Sequence, residues 1–323
     1  LPDGKVGGVG DVMRDLPAAL VAEGHQVCVF TPSYGQFHRL PGSRKVASIP
    51  VMFGGKRRIA ALYQVSDSGS GVTLQVVEHE LITAGQPGRI YFDDGPDDPF
   101  ASDATRFAFF SAVIAAWAEQ ATDAPDVIHA HDWHLGPLFF LRRFGKGLRR
   151  LRKTRCVFSI HNLAYQGIRP LKGHRSSLQA WFPGVRYTKK LVVDPRYSDC
   201  INLMAVPVRL ADAVNTVSPG YAREILRPSN SKAGFVGGEG LEDDLRQARS
   251  EKRLSGILNG CVYPGPAGRR PGWEKLLQAI SKTPGLLQGK NREWLEKLPR
   301  RKPPAVLTSI GRITDQKTTL FLQ

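Results

Sequence analysis

Four short apolar runs, each closing on polar residues, constrain this chain more than any other feature. Asp126-Val-Ile-His-Ala-His-Asp132 runs into Trp133-His134, and Cys156-Val-Phe-Ser-Ile160 into His161-Asn162. Ala213-Val-Asn-Thr-Val217 runs into Ser218, and Leu254-Ser-Gly-Ile-Leu258 into Asn259. Runs of this length, rich in β-branched residues and bounded by turn formers, read as buried strands. Helical spacing fills the stretches between them, at residues 134–144, 204–211 and 219–226, although Pro207 counts against the second. Strands alternating with helices build a mostly parallel sheet with helices on both faces. Ligands of such sheets lie beyond the carboxyl ends of the strands. The four polar clusters fall at those ends, which points to one shared site.

The rest of the chain fits the same α/β class. Val9, Val12, Met13, Leu16 and Leu20 recur at helical spacing across residues 9–23, with Pro17 expected to kink that helix or begin its straight part and Gly24 to stop it. Residues 26–32 read as a buried strand, residues 44–79 as two or three more, and residues 101–120 as an apolar-rich helix. From Tyr263 to Gly272 the composition is that of a linker. Short helices are expected at 273–280 and 289–297, a strand at 305–311, and a helix from Asp315 to the last residue, Gln323. This divides the chain into a Rossmann-like domain at 1–261 lacking its first strand, a linker with short helices at 262–304, and the start of a second, truncated domain at 305–323.

Composition narrows the function classes. A chain of 323 residues with 41% hydrophobic and 23% charged residues is globular. No apolar run is long enough to span a membrane, and the start, Leu1-Pro2-Asp3-Gly4-Lys5, lacks a signal-peptide pattern. It also lacks an initial Met, so residues are expected upstream. Cys28, Cys156, Cys200 and Cys261 are too scattered for a zinc knuckle or disulfide scaffold and fit a reducing, cytoplasmic compartment. The net charge of +16 suits an anionic small substrate, an acidic surface or nucleic acid. Its densest run, from Arg142 to Arg155, reads as a solvated helix end and loop, and no nucleic-acid-binding motif accompanies it.

Several motifs carry chemistry. In Lys5-Val6-Gly7-Gly8-Val9-Gly10-Asp11, glycines before a helix let backbone N–H groups approach a phosphate, and Lys5 adds a charge. The strand that should feed this loop is absent from the sequence. His129, His131, Asp132 and His134 invite a metal reading, but His129 and His131 share one face of a strand and His134 lies past the turn. His129 reads better as a satisfied core histidine, while Asp132 and His134 follow the strand end and are site candidates. His161-Asn162, followed by Tyr165-Gln166-Gly167, offers an array for sugar hydroxyls, or an Asx turn closing the strand. Arg312 and Lys317 flank a helix start and form either a diphosphate clamp or ordinary surface charge.

Taken in order, these motifs resemble one family, the bacterial glycogen synthases and plant starch synthases. Its Lys-x-Gly-Gly-Leu-x-Asp loop corresponds to Lys5–Asp11, its His-Asp-Trp-His to residues 131–134, and its His-Asn-Leu-Ala-Tyr-Gln-Gly to residues 161–167. Thr216-Val-Ser-Pro-Gly-Tyr-Ala-Arg-Glu224, Gly256-Ile-Leu-Asn-Gly260 and Arg312-Ile-Thr-Asp-Gln-Lys317 complete the series, and Cys261-Val-Tyr-Pro264 resembles a proteobacterial branch. The resemblance implies a GT-B-type fold of two Rossmann-like domains. It implies transfer of glucose from ADP-glucose to the non-reducing 4-hydroxyl of an α-1,4-glucan, such as glycogen or a maltooligosaccharide, with retention and without metal or cofactor. It places Lys5, Gly7, Gly8, Asp11, Asn162, Asn259, Arg312 and Lys317 at the donor, His161 and Asp132 at the reacting centre, and Tyr165, Gln166 and His134 on the acceptor side. The family's acidic Glu-x7-Glu pair falls past Gln323, so the fragment alone is expected to be inactive. Alternatives at this level are a related transferase using a UDP-sugar and a glucan-binding module without catalysis.

Overall fold

The computed structural model describes residues 7–65, 69–260 and 272–282. Helix α1 (Gly8–Ala22) leads into β1 (Cys28–Pro32), β2 (Arg44–Phe53), β3 (Lys56–Val65) and β4 (Thr73–Glu78). After α2 (Glu80–Thr83) and α3 (Ala101–Gln120) come β5 (Val127–His131), α4 (Gly136–Phe144), α5 (Arg149–Lys153) and β6 (Arg155–Ile160). Then follow β7 (Arg169–Pro170), α6 (Leu178–Trp181), β8 (Cys200–Ile201), α7 (Ala205–Leu210), β9 (Ala213–Thr216), α8 (Pro219–Glu224), α9 (Glu242–Ser250) and β10 (Leu254–Gly256). The chain divides into two compact units, Leu1–Gly260 and Cys261–Gln323. In the second, α10 (Trp273–Lys282) is the described helix. The elements expected at 289–297, 305–311 and beyond Asp315 lie outside the described residues.

Among the described residues the strands form two four-stranded sheets rather than one, with β7 and β8 as a separate antiparallel pair. In the order β10-β9-β6-β5 every pairing is parallel, as the strand-helix alternation requires. The order β1-β4-β3-β2 is mixed: β1 pairs parallel with β4, but β3 runs antiparallel to both neighbours. The cause is local. Gly54 and Gly55, both with positive φ, join β2 to β3 in a turn that matches the twist of an antiparallel hairpin. A parallel pairing would need a crossover of a dozen residues or more.

Local chemistry explains the helices that depart from expectation. Pro17 lies inside α1 and is buried there. Pro207 is the third residue of α7, in a first turn whose N–H groups have no intrahelical acceptor, so its missing N–H costs little. Residues 134–144 split into a 3-10 turn at Trp133–Leu135 and then α4, which carries Pro137 near its start. The basic run covers the end of α4 and all of α5. Arg143, Lys146, Arg149, Arg150, Arg152, Lys153 and Arg155 are exposed, and Arg142 Nη2 donates to Asp212 Oδ2 at 2.7 Å.

Helix α3 holds the domain together. It is 20 residues long and buried on nearly every face. Phe109 meets Phe53 of β2 edge-on at 5.3 Å, Trp117 meets Phe30 of β1 at 4.5 Å, and Phe107 meets Trp133 at 5.7 Å, just past β5. One helix thus packs on the mixed sheet and on the turn that ends β5. Truncating Phe109, fully buried between them, leaves a cavity that neighbours only partly fill. Phe109→Ala is expected to lower unfolding stability by about 3–5 kcal/mol, read from its urea midpoint.

Candidate active site

The site is built at the carboxyl ends of β5 and β6. Asp132 directly follows β5 with φ 55° and ψ −179°, a backbone region that suits glycine and costs other residues on the order of 1–3 kcal/mol. Its Oδ1 accepts from the backbone N–H of His161 at 2.8 Å and of Asn162 at 3.3 Å. The carboxyl thus ties the two strand ends together. Burial pushes its pKa up to about 7, and the two backbone hydrogen bonds pull the other way. Asn162 Oδ1 accepts from Ala164 N at 3.0 Å, so the Asx turn is present. The Tyr221 hydroxyl, from α8, accepts from Leu163 N at 3.4 Å and steadies the same turn.

Motif glycines here are set by packing. A Cβ on Gly167, whose φ is +59°, would fall 2.1 Å from the Trp133 indole. Trp133 is therefore pressed between this turn and Phe107 of α3, 3% exposed. A Cβ on Gly256 would meet the Ser218 carbonyl at 2.3 Å, so β10 lies against the start of α8 only because that residue is glycine. Asn259 follows three residues later and is exposed.

Four histidines surround this corner. His129 and His131, on one face of β5 as their spacing predicts, have ring centroids 4.3 Å apart. His129 Nε2 lies 2.6 Å from Ser159 Oγ, which donates to Asn215 Oδ1 at 2.6 Å. His131 Nδ1 lies 3.0 Å from His161 Nε2. Burial drives all three imidazoles toward neutrality, His161 down to about 4. His134 stacks on Trp133 at 4.4 Å and meets the edge of Phe107. Its Nε2 is buried without a hydrogen-bond partner, and burial lowers its pKa to about 3.

The acceptor-side candidates separate. Tyr165 is 54% exposed, its ring against the edge of Phe100. Gln166 is buried and bonded to protein groups at both ends of its amide. Its Nε2 donates to the carbonyls of Leu163 and Glu239 at 3.0 Å. Its Oε1 accepts from Arg196 Nη2 at 2.8 Å and from Asn202 Nδ2 at 2.7 Å. The amide therefore joins three loops of the domain. The ring of His134 is likewise turned into an aromatic stack.

Tyr91, which no sequence motif singled out, also lies beside this corner. It is 42% exposed, its ring lies 5.7 Å from that of His134, and burial with the nearby Asp132 and Asp103 carboxylates pushes its hydroxyl up to about 12. Arg106, buried on α3, holds the loop that carries it. Arg106 Nη1 donates to the carbonyls of Arg89 and Ile90, and its guanidinium covers the Phe92 ring at 4.2 Å. Asp103 accepts from Phe92 N at 3.0 Å. A tyrosine in a loop far from any strand end carries no signal of this placement.

In the glycine-rich loop, Gly7 has φ 83° and caps the start of α1. A Cβ on Gly8 would meet open space, and Asp11 pairs with Arg14 at 3.3 Å on the surface. Lys5, Arg312 and Lys317 lie outside the described residues.

A parallel α/β sheet whose strand ends gather one polar site is the N-terminal architecture of GT-B-type glycosyltransferases. The family model of the starch synthase catalytic domain matches residues 2–247, and the chain belongs to that family. The glycogen synthase of Exiguobacterium sibiricum is 33% identical over 266 residues, covering 80% of this chain and 50% of that protein. The glycogen synthase of Streptococcus equi subsp. zooepidemicus is 31% identical over 329 residues, covering 98% of this chain and 62% of that protein. The solved catalytic domain of starch synthase IV from Arabidopsis thaliana, bound to ADP and acarbose, matches with a TM-score of 0.64 at 27% identity, over 80% of this chain and 49% of that one. The chain thus spans about half to three-fifths of the length of these relatives. Among the described residues no helix is long and apolar enough to cross a membrane.

The buried histidines make stability pH-dependent. His131, His134 and His161 are held below the ordinary 6.5, so their contribution is full above 6.5 and is lost as pH falls toward the folded values, about 4 for His161 and about 3 for His134. Asp132 and Asp103, raised to about 7 and about 6, act oppositely, their contribution fading as pH rises through those values. The histidines, joined by His129 and His79, outnumber the two acids. The melting temperature is expected to fall between pH 7 and pH 5, and His134→Phe to narrow that difference.

Proposed function

We propose that the protein to which these residues belong transfers glucose from ADP-glucose to the non-reducing 4-hydroxyl of an α-1,4-glucan, with retained configuration, in the cytoplasm. The observation that carries this reading is the convergence of Asp132, His161 and Asn162 at two adjacent strand ends, in a chain of the starch synthase family. Binding of ADP and acarbose by the starch synthase IV catalytic domain supports a nucleotide-sugar donor and a glucan acceptor.

In this reading the sugar sits over the carboxyl ends of β5 and β6. The neutral imidazole of His161 hydrogen-bonds the transferred glucose beside its anomeric carbon. Asp132 positions that imidazole through the backbone N–H it accepts, and Asn162 lines the donor sugar. The Gly7–Gly8 start of α1 offers backbone N–H groups to the diphosphate, with Lys5, Asp11 and Asn259 around the donor. Arg312 and Lys317 offset the charge that develops on the departing ADP, an electrostatic contribution to catalysis. Exposed Tyr165, with Tyr91, faces the acceptor glucan.

The test uses the full-length protein. Glucose is expected to pass from ADP-glucose to glycogen, with UDP-glucose a poor donor and a weak competitor. His161→Ala is expected to lower kcat about 100-fold or more with a smaller change in KM for ADP-glucose. Preference for UDP-glucose would replace the donor assignment, and glucan binding without transfer would reduce the protein to a binding module.

A further inference from the structure

The contact between His131 and His161 has a chemical consequence. It joins Nδ1 of one ring to Nε2 of the other at 3.0 Å. Burial holds both rings neutral, and His129, its ring tilted against that of His131, adds to that pressure. A neutral imidazole carries one N–H and one bare nitrogen. The 3.0 Å contact is a hydrogen bond only if one of the two facing nitrogens is protonated and the other is not. If His161 Nε2 carries the proton, His131 Nδ1 must be bare and its proton sits on Nε2. If His131 Nδ1 carries the proton, His161 Nε2 is bare and its proton sits on Nδ1. In either case the two rings share the same tautomer.

The stack behind them restricts the choice of neighbours. Ser159 has one hydroxyl proton, and it donates that proton to Asn215 Oδ1. Ser159 Oγ therefore accepts from His129, which carries its proton on Nε2. That bond anchors the His129 ring to β6 and β9, and the His129 ring in turn backs the face of His131 at 4.3 Å. His131 is thus held between a fixed ring and the ring of His161, with its Nδ1 directed at His161.

We propose that His131 is a positioning residue that couples the tautomer of His161 to its own, so that the donor or acceptor character His161 presents to the sugar follows that of His131. The coupling comes from this chain's own residues; its use in sugar binding rests on the function proposed above. A histidine free to exchange tautomers would present a donor in one form and an acceptor in the other, and a sugar hydroxyl whose own proton is committed elsewhere suits only one of these.

The experiment is nitrogen NMR on the full 323-residue chain labelled with 15N at its eight histidines. At pH 7, His131 and His161 are each expected to show one protonated and one bare ring nitrogen, in the same arrangement. A 15N–15N coupling is expected across the hydrogen bond between them. In His131→Phe the His161 nitrogens are expected to move toward the averaged values of an exchanging ring. In His131→Asn, whose amide occupies the Nδ1 position and can turn to meet either form, His161 stays hydrogen-bonded but averages. Opposite tautomers in the two rings, no coupling across the contact, or an unchanged His161 in His131→Phe would overturn the proposal. Should His131→Phe fail to fold, the tautomers and coupling of the unsubstituted chain decide it. In the full-length protein, His131→Phe is expected to lower kcat at least tenfold, with a smaller change in KM for ADP-glucose. Loss of transfer activity in the unsubstituted protein would sink the functional reading and leave the nitrogen signals as they are.

Discussion

Everything in the site hangs on one carboxylate. Asp132 accepts the backbone N–H groups of His161 and Asn162, which would otherwise end β6 unpaired beside a buried corner. To reach them, the end of β5 takes a backbone conformation that a residue with a Cβ rarely adopts. The two hydrogen bonds and the packing of Trp133 against Gly167 offset that strain. Without the carboxylate, the β5 turn would relax toward ordinary geometry and His161 would lose its fixed start. The imidazole, the Asx turn at Asn162 and the Tyr221 hydroxyl are all placed relative to that bond.

The site is poor in formal charge for a molecule of net charge +16. Its imidazoles are neutral, and its central carboxyl titrates near neutrality. Among the described residues, a dense group of cations lies on the exposed α4–α5 segment. Such a corner suits recognition of hydroxyl groups, where neutral donors and acceptors match neutral partners without a large desolvation cost.

How much of this was legible in the sequence depended on whether the signal was local. Asp132, His161 and Asn162 could be singled out because each follows a short apolar run, and parallel strands point their ends to one side. The helices survived Pro17 and Pro207, the second because it falls in a first turn. The split into two sheets was not legible, since pairing β2 with β3 depends on a two-glycine turn whose strands could have been read in either sense. Gln166 looked like a ligand from its motif. Three of its four partners, Arg196, Asn202 and Glu239, are contributed from 30 to 73 positions away, and only folding reveals that its amide is already occupied. Tyr91 failed for the same reason in reverse: its place is set by Arg106 on a distant helix, through backbone carbonyls that leave no trace in residue type.

Helix α3 bears on how the domain comes apart. Its aromatic residues touch β1 and β2 on one side and the turn beyond β5 on the other. The mixed sheet cannot detach without exposing one side of the helix whose other side supports Trp133. Local opening of either sheet is thereby coupled to the other, so that both are lost in one cooperative event. The amide protons of α3 should exchange with solvent only through that event, and the site's geometry persists for as long as the domain stays folded.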